Sequence, residues 1–169
     1  MDNKDSTCQQ SSFRKLYERH SDVIRNFLYY KTGDSGFAED AVQESYLQLW
    51  KKCADVPFEK AKSFLFAVSN NLMLDKFKHQ KVKLKFFSRK QKQTTNETPE
   101  FLLEEQEFKQ KLESVISELP EPQRVVFLMS RIDKMKYKEI AQALDISQKA
   151  VEKRMHKALL WMREKIGKV

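Results

Sequence analysis

The chain has 169 residues, 33% charged and 40% hydrophobic, and its 32 Lys and Arg against 24 Asp and Glu give a formal charge of +8 at pH 7. With 3 Gly and 4 Pro it has too few turn formers for a sandwich or barrel of many short strands. Leu, Lys, Glu, Gln and Ala dominate its periodic stretches, so the composition predicts an all-α protein of one ordinary domain or two small ones. No apolar run is long enough to span a bilayer, and the opening MDNKDSTCQQSSF lacks a signal-peptide core and cleavage pattern. The expectation is a cytoplasmic protein that is not itself a membrane protein. Cys8 and Cys53, the only cysteines, are widely spaced in such a chain and are expected as reduced thiols; no CxxC or HxxxH spacing supplies a metal site, and no cofactor is expected.

In chain order, Phe13, Leu16, Tyr17, Val23, Ile24, Phe27 and Leu28 recur at three- and four-residue spacings. They predict an amphipathic helix or helix pair ending near Thr32-Gly33-Asp34. A second helix is expected to begin between Phe37 and Asp40 and to continue through Ala41, Val42, Tyr46, Leu47, Leu49 and Trp50, with Glu39, Asp40, Gln43, Glu44 and Gln48 on its other face. Pro57 falls in the next loop, and a third apolar run from Phe64 through Phe77 follows. Most of these apolar residues are core by their spacing. The polar residues around the third run are Asn70, Asn71, Asp75, Lys76 and Lys78, of types that read base edges and phosphates when exposed; Phe58, Phe64 or Phe66, if exposed, would stack on an unpaired base.

The charge is unevenly placed. Residues 1–75 hold 10 bases and 11 acids, residues 76–107 hold 8 and 5, and residues 108–169 hold 14 and 8. From Lys76 to Asn96 there are eight bases and no acid, and from Thr94 to Glu107 five Glu and no base. Such a sign reversal marks a join between two halves. The basic run reads either as a polyanion contact that releases counterions or as a solvated helix end running into a linker. QKQTTNETPE has no apolar periodicity and includes Pro99, so it reads as a tether. The predicted domains are 8–92 and 108–169, joined by a flexible linker, 93–107.

After the tether, Phe108, Leu112, Val115, Ile116 and Leu119 form one stripe, Pro120 and Pro122 break it, and Val125, Val126, Leu128 and Met129 form another. A short helix then runs from Tyr137 to Leu144, Asp145 takes the turn, and Ser147 is placed to cap a last helix from Gln148. Support helix, three- or four-residue turn and capped second helix are the layout of a helix-turn-helix. At 100° per residue Val151, Met155, Ala158 and Met162 share one face of the last helix, and Lys149, Lys153, His156 and Lys157 the other. With Arg154 beside them, these lysines suit phosphates and guanine edges in the major groove; the plainer alternative is a Lys-rich surface helix of a bundle. Three scattered His, no glycine-rich phosphate loop and no nucleophile motif argue against an enzyme.

AEDAVQESYLQLW (38–50), SFLFAVSNNLMLDKFK (63–78), ELPEPQRVVFLM (118–129) and YKEIAQALDISQKAVEKRMHKAL (137–159) occur in this order around the tether. Together they resemble regions 2 and 4 of the bacterial extracytoplasmic-function (ECF) sigma factors, the smallest promoter-specificity subunits of RNA polymerase. The resemblance implies that Asp40, Gln43, Glu44, Gln48 and Trp50 dock on the clamp coiled coil of core RNA polymerase. It implies that residues 55–78, with Phe58, Phe64, Asn70, Asn71, Asp75, Lys76 and Lys78, open and read the −10 element of promoter DNA. The last helix, with Ser147, Lys149, Lys153, Arg154, His156 and Lys157, would read the −35 element, and an anti-sigma factor would be a further partner. Lys136 departs from the family's usual capping Ser, and Asp145 from its usual turn Gly. The alternative reading is a stand-alone helix-turn-helix regulator with an N-terminal oligomerisation domain.

Overall fold

In a computed structural model, which describes residues 6–76 and 99–167, the described chain is all-α, with seven helices and no strand. The first apolar stretch is one helix, α1 (Gln10–Thr32). It stops because Gly33 takes the left-handed conformation (φ 71°) and returns its N–H to Tyr29 O at 2.8 Å. Asp34 then caps α2 (Ser35–Lys51), its Oδ1 accepting from Phe37 N at 2.9 Å, so α2 begins a few residues before its apolar stripe does. Two residues between helices force α1 and α2 into an antiparallel hairpin. Residues 52–57 lead into α3 (Phe58–Lys76), and the three helices close on Leu16, Ile24, Leu28, Leu49 and Leu65, each at most 2% exposed. Tyr46 OH fastens α2 to α1 by donating to Leu16 O at 2.9 Å.

The hairpin also overturns one expectation. Cys8 lies just before α1 and Cys53 just after α2, and the two are bonded as a disulfide, with Cα atoms 4.9 Å apart. Their 45-residue separation along the chain hid a proximity that antiparallel pairing creates. Thr7 seats the same segment, its Oγ1 donating to Val56 O at 2.7 Å.

In the C-terminal half, α4 (Pro99–Glu118) takes in residues 99–107, which the sequence assigned to the linker. Pro99 opens the helix, where a missing N–H costs nothing, and Glu has high helix propensity without any apolar stripe. Glu105 pairs with Lys109 one turn on. Then come α5 (Glu121–Arg131), α6 (Tyr137–Leu144) and α7 (Gln148–Ile166), packed around Leu119, Val126, Leu128, Met129, Ile140, Val151 and Met155.

The halves also touch, α1 against α5 and α3 against α6. Arg124 of α5, 5% exposed, donates from Nε to Tyr30 O at 2.8 Å, and from Nη1 to Leu119 O at 2.8 Å and Ser117 O at 3.2 Å. Asp133, in the loop after α5, accepts at Oδ1 from Asn26 Nδ2 (2.7 Å) and Tyr30 OH (3.2 Å), while its Oδ2 is buried without a hydrogen-bond partner. Burial raises the Asp133 carboxyl above the usual carboxylate range, against the lowering effect of those two donors. Lys31 Nζ spans the same seam, 3.0 Å from Glu121 Oε1 and 2.6 Å from Asn70 Oδ1.

Candidate nucleic-acid and protein interfaces

The outer face of α2 carries the first group of predicted site residues together. Asp40, Gln43 and Trp50 are exposed, and Glu44 and Gln48 are half-buried, with Gln48 Nε2 donating to Glu44 Oε1 at 3.2 Å. Trp50 is 49% exposed even though its ring packs edge-on against Phe13 at 5.2 Å. Leu47 lies among these residues and is 54% exposed. Its place in the apolar run made it look like core. The signal was in the spacing, because at 100° per residue Leu47 points about 160° away from Leu49. An exposed Leu and Trp rimmed by two acids and two amides suit a protein partner, which needs apolar anchors inside a polar rim.

The second group divides. Asn71 and Asp75 are exposed on α3, Asn70 is held by Lys31, and Phe58 and Phe64 are half-buried at the edge of the core. Phe66 is not available to stack on a base. It is 2% exposed and packs edge-on against Phe27 at 5.2 Å, on the inward side of α3. Lys76 ends α3, but its side chain, like Lys78 and the basic run through residue 92, lies outside the described residues.

The third group is assembled as the helix-turn-helix spacing predicts. Three residues separate α6 from α7, and Asp145 supplies the left-handed turn (φ 52°, ψ 49°) that a Gly would adopt more easily. Ser147 Oγ accepts from Ala150 N at 3.1 Å and starts α7. At α6, Lys136 N–H donates to Glu139 Oε2 at 2.8 Å, which preserves one half of a capping box. The other half is missing because an ammonium has no lone pair to accept with. Val151, Met155, Ala158 and Met162 are buried, which turns Lys149, Lys153, His156 and Lys157 to solvent. Arg154 stands apart, half-buried in a cleft of about 910 Å³ between the halves, whose opposite wall includes Lys60, Phe64, Asn70 and Asn71.

Among the described residues no group of His, Cys, Asp or Glu is arranged to hold a metal, and no helix is long and apolar enough to cross a membrane. The Sigma-70 region 2 family model matches residues 16–82, which take in most of α1 and all of α2 and α3, and the Sigma-70 region 4 model matches residues 109–162, which take in α6 and most of α7. The chain belongs to the sigma-70 family. Within it the chain is an ECF sigma factor, a transcription initiation factor that directs RNA polymerase to promoters.

This sigma factor is 25% identical over 161 residues to the ferric citrate uptake sigma factor FecI of Escherichia coli strain K12, an alignment covering 94% of this chain and 93% of FecI. It is 24% identical over 160 residues to the ECF RNA polymerase sigma factor SigL of Mycobacterium tuberculosis, covering 94% and 90% of the two chains. Its fold is similar to that of CnrH, solved in complex with the cytosolic domain of CnrY, at a TM-score of 0.63 and 22% identity over 96% of this chain and 92% of that one.

Proposed function

We propose a division of labour between the two halves of this sigma factor. The outer face of α2 (Asp40, Gln43, Glu44, Leu47, Gln48, Trp50) docks on the clamp coiled coil of core polymerase. Residues 55–78, with Phe58, Phe64, Asn70, Asn71, Asp75, Lys76 and Lys78, open and read the −10 element. Ser147, Lys149, Lys153, Arg154, His156 and Lys157 engage the −35 duplex in its major groove. Residues 8–92 and 108–169 then act as separate recognition units, catalyse no reaction of their own, and work in the cytoplasm beside the polymerase. The observation that supports this reading best is the presence, on one chain, of an acidic face on α2 around exposed Leu47 and Trp50 and of a lysine-rich face on α7, Lys149, Lys153 and Lys157 around exposed Leu160.

The cleft adds a condition. Its volume of about 910 Å³ suits a small ligand rather than a duplex, and it holds Phe64, Asn70 and Asn71 opposite Arg154. The halves therefore part before both elements are read, and polymerase binding drives the parting. A protein that holds them together would silence the factor, which fits an anti-sigma partner; CnrH, of similar fold, is solved in complex with another protein, the cytosolic domain of CnrY.

Run-off transcription with core polymerase on genomic fragments tests the reading. New start sites preceded by two spaced, shared elements are expected only when the factor is added. Asp40→Ala with Glu44→Ala should weaken polymerase association and leave duplex binding by α7 intact. No new starts, with tight duplex binding by the free protein, would make it a stand-alone regulator.

A further inference from the structure

The disulfide sits at a mechanically sensitive place. Cys53 belongs to the six-residue connection, 52–57, between α2, which ends at Lys51, and α3, which begins with Phe58, and Asp55, Val56 and Pro57 of that connection line the cleft. Cys8 comes from the segment ahead of α1, which has no other covalent tie to this connection. We infer that Cys8 and Cys53 form a reversible thiol–disulfide site that clamps residues 52–57 when oxidised and frees them when reduced. This rests on the proposed role of residues 55–57 of that connection in −10 reading.

Two observations carry it. Both cysteines are half-buried at the edge of the helix bundle rather than sealed in its core, which leaves a side open to a small thiol or disulfide. A single hydrogen bond, from the hydroxyl of buried Thr7 to Val56 O, links the same segment to the connection without sulfur, so after reduction Cys8 stays within reach of Cys53 while residues 52–57 move about that one contact. That keeps their effective concentration high and makes closing fast.

With oxidised glutathione as the oxidant the exchange balances. The thiolate of one cysteine attacks one glutathione sulfur, forming a mixed disulfide and expelling one glutathione thiolate. The thiolate of the other cysteine then attacks the sulfur of the first and expels the second glutathione. Two protein thiols are oxidised, one glutathione disulfide is reduced to two thiols, and the two protons lost by the cysteines end on the glutathiones. In a reducing compartment the equilibrium lies toward the thiols, and an oxidising episode closes the clamp.

The full chain, equilibrated in buffers of graded reduced to oxidised glutathione and quenched by alkylation, gives the bonded fraction by intact mass. Amide hydrogen exchange of residues 52–57 and run-off transcription are read on the same samples. The expected result is a reversible intramolecular bond, about tenfold slower exchange in residues 52–57 of the bonded form, and several-fold more start-site product from it. Cys8→Ser and Cys53→Ser should each hold exchange and yield at the reduced level in every buffer. Glutathione adducts without the intramolecular bond, or a bond that leaves exchange in 52–57 unchanged, would overturn the clamp. Slower exchange with equal product from both forms would leave the clamp standing and overturn the −10 role of the connection.

Discussion

The exposed faces of α2 and α7 use opposite chemistry on helices of similar length. On α2, Leu47 and Trp50 stand in solvent among Asp40, Gln43, Glu44 and Gln48, whereas α7 sets a single exposed Leu160 among Lys149, Lys153, His156 and Lys157. A protein surface is bound through a few desolvated anchors, so the affinity of α2 is concentrated in one or two side chains. A phosphate backbone is bound by releasing counterions, so the affinity of α7 is spread evenly and falls with salt. Under the proposed division of labour, the two helices differ in how binding free energy is distributed.

The largest effect should come from the anchors. Leu47→Ala combined with Trp50→Ala is expected to weaken core-polymerase binding by about 2–4 kcal/mol, with little change in its salt dependence. Fluorescence anisotropy against core polymerase checks this, and Leu47→Ala alone controls for the lost packing of Trp50 on Phe13. A loss no larger than that from Asp40→Ala with Glu44→Ala would break the contrast between the two faces.

Next in size, Lys153→Ala with Lys157→Ala should flatten the slope of log affinity against log salt for duplex binding by about 1.8, two phosphate contacts at about 0.9 each. Polymerase affinity should not move. Ser147 sharpens the same side: Ser147→Ala should cost about 1 kcal/mol of stability in chemical denaturation by leaving the Ala150 N–H uncapped. Ser147→Asp should keep the cap and its stability while weakening DNA binding, because it sets a carboxylate against phosphate.

The smallest effect concerns the seam between the halves. The raised pKa of Asp133 means that the closed form holds its proton more tightly than the open form does. This contribution to closure is fully present below the ordinary carboxylate value and is lost as pH rises through the raised one. Small-angle scattering from pH 4 to 7 should show the protein opening as pH rises. Asp133→Asn should remove that part of the profile, and an unchanged profile would relocate the titrating group.

Much of this was legible in the sequence because helical periodicity reports directly on which face is buried. The α7 stripe, the Asp145 turn and the Ser147 cap all follow from spacing and side-chain chemistry within 20 residues. What escaped depended on long-range geometry or on the absence of a pattern. Leu47 was lost in a run of apolar neighbours, although its angle set it apart. Phe66 looked available until Phe27 was placed against it. Residues 99–107 hold their apolar residues in one block, Phe101 to Leu103, followed by four polar ones, so no three- and four-residue alternation marked the helix. The Cys8–Cys53 bond and the Asn26–Asp133 contact join residues 45 and 107 positions apart, which no local pattern encodes.

The three hydrogen bonds of Arg124 bear on how readily the molecule changes shape. Two of them, to Leu119 O and Ser117 O, stay within its own half, and one, to Tyr30 O, crosses to the other. When the halves separate, the guanidinium keeps its local partners and exchanges a single carbonyl for water, so no orphaned charge is left behind. The seam is a hinge stop rather than a weld. A partner with only modest preference for the extended form can shift the population, and one with a similar preference for the folded-over form can hold it back.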